Sequence, residues 1–306
     1  MALSGTTFSP VKTAIETSRL TKQWGDFRAV DQLDLNVPTG ECYAFLGRNG
    51  SGKSTTARML LDFIRPTGGS ACVLGGTGRD PAIRARVGYL PGDLNLPRSM
   101  TGNDAFDYFG QFRPVKDPAE RSSLINRFGL DPSRPIHELS TGNRRKVGLI
   151  LAFMASPEVL ILDEPTSGLD PILQEEFRDL LVERKAQGAT IWLTSHVMAE
   201  VARVADRVGM INEGKLIREM TFEELSHQAT TEITLGFHTP IAVNRFDGVE
   251  SVTGVAADGS ELKLSINGPV AAVLSRAGEL GAIRIETKQN DLDATFINLL
   301  SGKSGP

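Results

Sequence analysis

Residues 42–64 read CYAFLGRNGSGKSTTARMLLDFI, and the succession of textures in that stretch decides the fold. CYAFLG (42–47) is a short apolar run that stops at glycine, and SGKSTTARMLLDFI (51–64) begins polar and becomes amphipathic. That is strand, glycine-rich loop, helix. Gly47, Arg48, Asn49, Gly50, Ser51, Gly52, Lys53, Ser54 and Thr55 fit G-x-x-x-x-G-K-[ST]. Glycines in that pattern let backbone N–H groups turn inward around phosphate oxygens, at the positive end of the following helix. Lys53 is then placed to neutralise the β- and γ-phosphates of a nucleotide such as ATP, and the Ser54 hydroxyl to ligate Mg²⁺. The flanking strand and helix separate this pattern from a chance glycine-rich turn.

Outward from the loop the alternation continues. VLIL (159–162), TIWLTS (190–195) and RVGMI (207–211) read as short buried strands, while 175–188 and 196–206 are helical in period. Upstream, 14–20 and 33–37 alternate as strands do, with PTGE (38–41) as a turn. Strands alternating with helices predict an α/β layer with a mainly parallel, buried sheet. Residues 91–141, rich in Pro, Gly and charge, interrupt the rhythm and read as a helical insertion. Beyond Glu224 the texture becomes that of a small α+β unit: a strand in EITLGFH (232–238), a hairpin turning at Asp258-Gly259, a helix over 269–280, a strand over 282–287 and a last helix over 291–300. The expected division is 1–224 and 225–306.

A chain of 306 residues with 40% hydrophobic composition is long enough for two folding units with real cores. Its 33 basic and 37 acidic residues leave a net charge of −4, so no global field gathers nucleic acid. Acidity is concentrated late: residues 221–306 carry 6 basic and 11 acidic side chains. Cys42 and Cys72 sit in no metal-ligand or redox spacing and are expected as buried thiols in a reducing compartment. The opening MALSGTTFSPVKTAIE lacks a basic segment followed by an apolar one, so no signal peptide is expected. The longest apolar run, 147–155, falls far short of the roughly 18 residues of a membrane span. A cytosolic protein is expected, or one that reaches a membrane only through a partner.

Two further segments carry chemistry. VLIL is followed by Asp163-Glu164-Pro165, which ends a buried strand in two carboxylates: Asp163 can hold the Mg²⁺ shell, and Glu164 can orient and deprotonate an attacking water. A plain strand-ending turn is the alternative. Leu139-Ser140-Thr141-Gly142-Asn143 precedes the run RRKVGLILAFMA, so Ser140 or Thr141 caps a helix whose N-terminus would accept an anion. Capping without function is the alternative there, and Arg144, Arg145 and Lys146 read as a solvated face.

The loop at 47–55, LSTGN, LILDEP, Ser167-Gly168-Leu169-Asp170 and His196 closing a strand follow one another in the order and spacing of ATP-binding-cassette (ABC) ATPases, which the chain resembles from residue 14 to about residue 220. The resemblance implies a RecA-like P-loop NTPase core with a helical subdomain, working as a dimer in which two cassettes sandwich two ATP molecules head to tail. Ser140 and Gly142 of one cassette would contact the γ-phosphate held by Lys53 of the other. By the same resemblance Glu164 is the general base, Asp170 belongs to the loop linking the two sites, and His196 senses the γ-phosphate, the alternative for His196 being an exposed residue at a helix start. Trp24 matches the aromatic that stacks on adenine, with core packing as the alternative. LSTGN departs from the usual LSGGQ at its third and fifth positions. Gly92 and Asp93 stand where cassettes usually place the Gln or Glu that touches Mg²⁺ and the membrane partner.

The tail looks like that of the ABC branch serving drug, antibiotic and lipid exporters. A homodimer or paired cassette, a separate integral membrane permease and a place on the cytoplasmic face of the membrane are the implied setting, with no direct nucleic-acid binding. A soluble cassette ATPase acting on ribosomes or DNA is the competing reading; such proteins usually carry tandem cassettes or a coiled-coil insertion, and this chain has one phosphate loop and no heptad run. Glu164 and His196 speak against a binding module without turnover.

Overall fold

The computed structural model describes residues 13–113, 117–228 and 231–288. Alternation of apolar and polar residues produces a long antiparallel pair, β1 (Thr13–Trp24) and β2 (Phe27–Pro38), which buries Leu33, Leu35 and Val37 from one face of β2. Then β3 (Cys42–Leu46), buried at all five positions, leads through the glycine-rich loop into α1 (Lys53–Leu60). A strand that the sequence pattern did not reveal, β4 (Gly68–Val73), pairs antiparallel with β1; its opening glycines and half-exposed residues hide the alternation. One helical turn, α2 (Pro81–Arg84), precedes β5 (Val87–Leu90).

The insertion between β5 and the next strand holds α3 (Gly102–Gly110), α4 (Pro118–Arg127) and a 3₁₀ turn at Ile136–Glu138, and α5 (Thr141–Phe153) packs against both helices. The chain returns to the sheet with β6 (Val159–Asp163), α6 (Pro171–Ala186), β7 (Thr190–Ser195), β8 (Arg207–Asn212) and β9 (Lys215–Thr221). The six strands lie in the order β5-β6-β7-β3-β8-β9, and every pair from β5 to β8 is parallel. β3, β6 and β7 are buried at every residue, as a sheet covered on both faces requires. Phe45 and Trp192 stack 5.3 Å apart on neighbouring strands, each fully buried side chain of this kind contributing about 1.5–3 kcal/mol.

The chain divides into two compact units at residues 219 and 220. A cut at 224 would sever α7 (Phe222–Gln228), whose start is anchored by reciprocal Thr221 and Glu224 hydrogen bonds of 2.8 and 3.1 Å. In the second unit β10 (Thr231–Gly236), β11 (Val252–Asp258), β12 (Glu261–Ile266) and β13 (Arg284–Lys288) form an antiparallel sheet in the order β11-β12-β10-β13. Its hairpin turns after Asp258, with Gly259 at φ +61°. Ile233, Leu235, Leu262 and Leu264 form a core with Val273 and Ala277 of α8 (Ala271–Glu279). The helix expected over 291–300 lies outside the described residues.

Two expectations need correction. Residues 196–206 form no α-helix: Val201, Val204 and their neighbours make i→i−3 turns, and the Ser195 hydroxyl captures the Val197 N–H at 3.0 Å. Valines at 197, 201 and 204 restrict side-chain rotation in a helix, and a nearby hydroxyl offers the backbone a competing partner. Cys42 is buried, and its thiol pKa is pushed far up by that burial, but Cys72 on β4 is only half-buried.

Candidate active site

In an open parallel sheet, ligands bind at the carboxyl ends of the strands. Here those ends belong to three adjacent strands: β3 delivers the glycine-rich loop, β6 delivers Asp163 and Glu164, and β7 delivers Ser195 and His196. Adjacency in the sheet therefore assembles residues remote in sequence.

The loop has the shape of a cradle. Gly50 and Gly52 take φ of +81° and +112°, which only glycine adopts freely, and a Cβ at Gly47 would lie 2.4 Å from the Ile211 carbonyl oxygen. Ser51 Oγ is buried within it without a hydrogen-bond partner among the described residues. A buried hydroxyl left unpaired is costly, and phosphate oxygen is an acceptor that satisfies it. Lys53, 5% exposed, extends its ammonium to the Gly47 carbonyl oxygen at 2.7 Å and the Arg48 carbonyl oxygen at 3.3 Å. Its third contact is the Glu164 carboxylate, 3.1 Å away. Glu164 reaches His196 Nδ1 at 2.8 Å through its other oxygen. Lys53, Glu164 and His196 thus form one connected chain, with His196 on the exposed side.

A cleft of about 280 Å³ opens beside this chain, lined by Trp24, Phe27, Ala29, Asn49, Gly50, Gly52, Lys53, Ser54, Thr55 and Glu164. Trp24 is 48% exposed, so core packing does not explain it. The Lys22 ammonium lies 5.1 Å from the Trp24 ring centroid, a cation–π contact. An exposed aromatic at one end and an ammonium with a glycine cradle at the other suit a base and a polyphosphate respectively.

Asp163 is 1% exposed; its carboxylate accepts from Thr194 Oγ1 at 2.7 Å and from the Gly92 N–H at 3.3 Å. Gly92 therefore answers Asp163 with its backbone. A Cβ there would lie 3.0 Å from Asp163 Oδ2. Asp93 is exposed beyond it. Among the described residues no three His, Cys, Asp or Glu side chains converge to hold a metal unaided. The buried Asp163 carboxylate is a hard oxygen donor of the kind Mg²⁺ takes together with substrate phosphates and waters.

The second group of sequence candidates lies elsewhere. Ser140 caps α5, its Oγ accepting the Asn143 N–H at 3.2 Å, and Asp170 caps α6 by accepting from Leu173 N–H at 2.9 Å. None of Ser140, Gly142 and Asp170 lines the cleft at Lys53. A cavity of about 520 Å³ beside α5 includes Thr141, Ser167, Gly168, Arg98 and Arg144.

Sequence reasoning missed Arg145. Expected on a solvated face, it is 5% exposed, and its guanidinium donates to five backbone carbonyls: Pro91 at 2.7 Å, Gly92 at 3.1 Å, Asp163 at 2.9 Å, Pro165 at 3.3 Å and Glu164. Burial lowers its pKa, and the carboxylates of Asp163 and Glu164 oppose that shift. Three consecutive basic residues on a helix point about 100° apart, so they cannot all share one face; that was the available signal.

A parallel sheet with a glycine cradle, a buried lysine and a strand-ending Asp-Glu pair defines a P-loop nucleotide-binding ATPase core. Residues 30–167 match the family model described as ABC transporter. The chain is 35% identical over 220 residues to the Bacitracin transport ATP-binding protein BcrA of Bacillus licheniformis, covering 70% of this chain and 72% of that one. It is 37% identical over 219 residues to the Daunorubicin/doxorubicin resistance ATP-binding protein DrrA of Streptomyces peucetius, covering 69% and 66%. A solved ATP binding subunit of an ABC transporter superposes with a TM-score of 0.65 at 26% identity, covering 71% of this chain and 93% of that one. The chain belongs to the ABC transporter family; it binds ATP and is an ABC-type ATPase. No helix among the described residues is long and apolar enough to cross a membrane.

Proposed function

We propose that the chain is the ATP-hydrolysing subunit of an exporter, acting as a homodimer on the cytoplasmic face of a membrane and driving a separate permease. The observation that carries its chemistry is the Lys53–Glu164–His196 chain, at 3.1 and 2.8 Å, on the ends of three neighbouring strands. Trp24 stacks on the base; the loop from Gly47 to Thr55 and the Lys53 ammonium hold the phosphates. Glu164 takes the proton from water at its carboxylate, and His196, hydrogen-bonded to that carboxylate, contacts the γ-phosphate. Ser54 and Asp163 would hold Mg²⁺, which supplies charge neutralisation to the phosphates. In the dimer, Ser140 and Gly142 of one copy meet the γ-phosphate bound by Lys53 of the other, with Asp170 in the loop between the two sites.

Export of a drug, antibiotic or lipid-like molecule is supported by the relatives, one a bacitracin transport protein and one a daunorubicin/doxorubicin resistance protein. The permease would be met by the cassette rather than by the nucleotide cleft. A further cleft of about 410 Å³, lined by Leu61, Phe63, Val87, Tyr89, Phe109 and Leu151 among others, offers it an apolar seat, and Arg84 and Arg113 are at hand for an acidic side chain of the permease.

Replacement of Glu164 by Gln tests the chemistry. The amide keeps the shape but cannot accept a proton from water, so ATP binding should persist while turnover falls by about 10²- to 10⁴-fold. Normal phosphate release from purified Glu164→Gln protein would remove Glu164 from the catalytic role.

A further inference from the structure

Glu164 is not glycine, yet its φ is +47°, in the left-handed region where L residues are strained. Such a conformation persists only where its surroundings hold it from both sides. On the amino side the Glu164 N–H donates to Thr194 Oγ1 at 2.9 Å, and that hydroxyl in turn donates to Asp163. On the carboxyl side the Glu164 carbonyl is held by Arg145. A guanidinium has five N–H donors in a rigid plane, and here all five find backbone carbonyls. Those carbonyls belong to two segments, the Pro91-Gly92 turn after β5 and the Asp163-Glu164-Pro165 end of β6, while Arg145 itself rides on α5, the helix capped by Ser140. Three elements are tied by one side chain.

We infer that Arg145 is a positioning residue: its grip on the carbonyls of residues 163–165 holds Glu164 in the left-handed conformation and so fixes the Glu164 carboxylate against Lys53 and His196, an inference that rests on Glu164 being the base. A consequence is that α5 and the base move together. Displacement of the Ser140 end of the helix would be passed to Glu164 through the fork without any contact between Ser140 and Glu164 in the same chain.

The experiment compares Arg145→Lys, Arg145→Gln and Arg145→Ala in the full-length protein, reading kcat, KM, ATP affinity and melting temperature. Lysine keeps the charge and has three donors on a point ammonium, which cannot reproduce the fork. With a misplaced base, kcat should fall about 10- to 100-fold while KM and ATP affinity stay within about threefold, because Glu164 is the one cleft-lining residue that Arg145 bonds, and Trp24, Lys53 and the glycine-rich loop, which hold the nucleotide, are untouched. Guanidinium ion at low millimolar concentration, far below denaturing levels, should restore part of the kcat of Arg145→Ala and none of that of Arg145→Lys, whose side chain fills the space. Arg145→Lys added to Glu164→Gln should cost nothing further, since the two changes remove one function. Wild-type kcat in Arg145→Lys overturns the inference. So does parallel loss of kcat and ATP affinity, or melting of all three variants below the assay temperature, since the fork is then a structural tie alone. If Glu164→Gln turns over normally, the base assignment fails whatever Arg145 does; if it is inactive while Arg145→Lys is not, only the positioning role fails.

Discussion

Glu164 and Trp24 mark two kinds of residue-scale evidence. Glu164 sits in a conformation costing about 1–3 kcal/mol, an expense that local folding alone would not maintain at a strand end. Trp24 places a large ring in solvent at the end of β1, paired with the exposed Phe27 across the hairpin. If the ring stacks on the base, Trp24→Ala should weaken ATP and GTP alike by about 1–3 kcal/mol, roughly 5- to 150-fold in Kd, and Trp24→Phe should recover most of it. Calorimetric titration with both nucleotides measures this, and unchanged affinity in the alanine variant would leave Trp24 without a binding role. Lys53, Asp163, Glu164 and His196 were legible in the sequence because each sits at a fixed offset from a recognisable strand. Arg145 was not, because a string of letters gives composition and period but not which way a charged side chain turns when carbonyls are waiting inside.

At the scale of elements, the turn after β5 carries Gly92 and Asp93 where the resemblance to ABC ATPases leads one to expect Gln or Glu. The sequence left open whether Gly92 and Asp93 replace the usual side-chain contact to metal; in the structure the Gly92 N–H meets the Asp163 carboxylate at 3.3 Å, and Asp93 is exposed and lines the cavity of about 520 Å³ beside α5. Supplying the missing glutamine should therefore not help. A Cβ at position 92 lies 3.0 Å from Asp163 Oδ2, closer than nearly all such contacts, and the turn is held rigidly by Arg145 from the other side. Gly92→Gln is expected to displace the Asp163 carboxylate and lower turnover by about tenfold or more, equivalent to about 1.4 kcal/mol at the barrier. A Mg²⁺ titration of ATPase activity checks it, and equal or higher turnover at every Mg²⁺ concentration would contradict the steric argument. Other elements were misread for ordinary physical reasons. The Asp170-Pro171 pair is a helix start signal, a capping side chain followed by a residue with no N–H to satisfy, and α6 begins there instead of at 175. The helix expected over 196–206 had the period but also three valines and a competing hydroxyl, and the competitors won.

Over the whole molecule, the order β5-β6-β7-β3-β8-β9 is what no local pattern could supply, since pairing between strands far apart in sequence leaves no mark in either. It sets β6 and β7 beside β3 and thereby builds the Lys53 cleft within one chain. The same order leaves Ser140 and Gly142 out of that cleft, and this gives the shared-site proposal its sharpest test. Lys53→Ala removes the phosphate counter-charge. Gly142→Asp puts a carboxylate on the first turn of α5, where a Cβ would already stand 3.2 Å from the Gly168 carbonyl oxygen. Each homodimer should then fail to trap ATP. In a mixed dimer of the two variants, one site collects both lesions, while the other pairs a normal Lys53 with a normal Ser140–Gly142 segment. That single site should occlude about half as much ATP as the wild-type dimer, because one of its two sites survives. Sites built within one chain forbid the recovery, since every chain would carry its own lesion. Heterodimers purified through two different tags supply the sample, and occluded ATP is the better readout than turnover because one intact site need not support a full cycle. Occlusion no higher than in either parent would exclude a site shared between two copies.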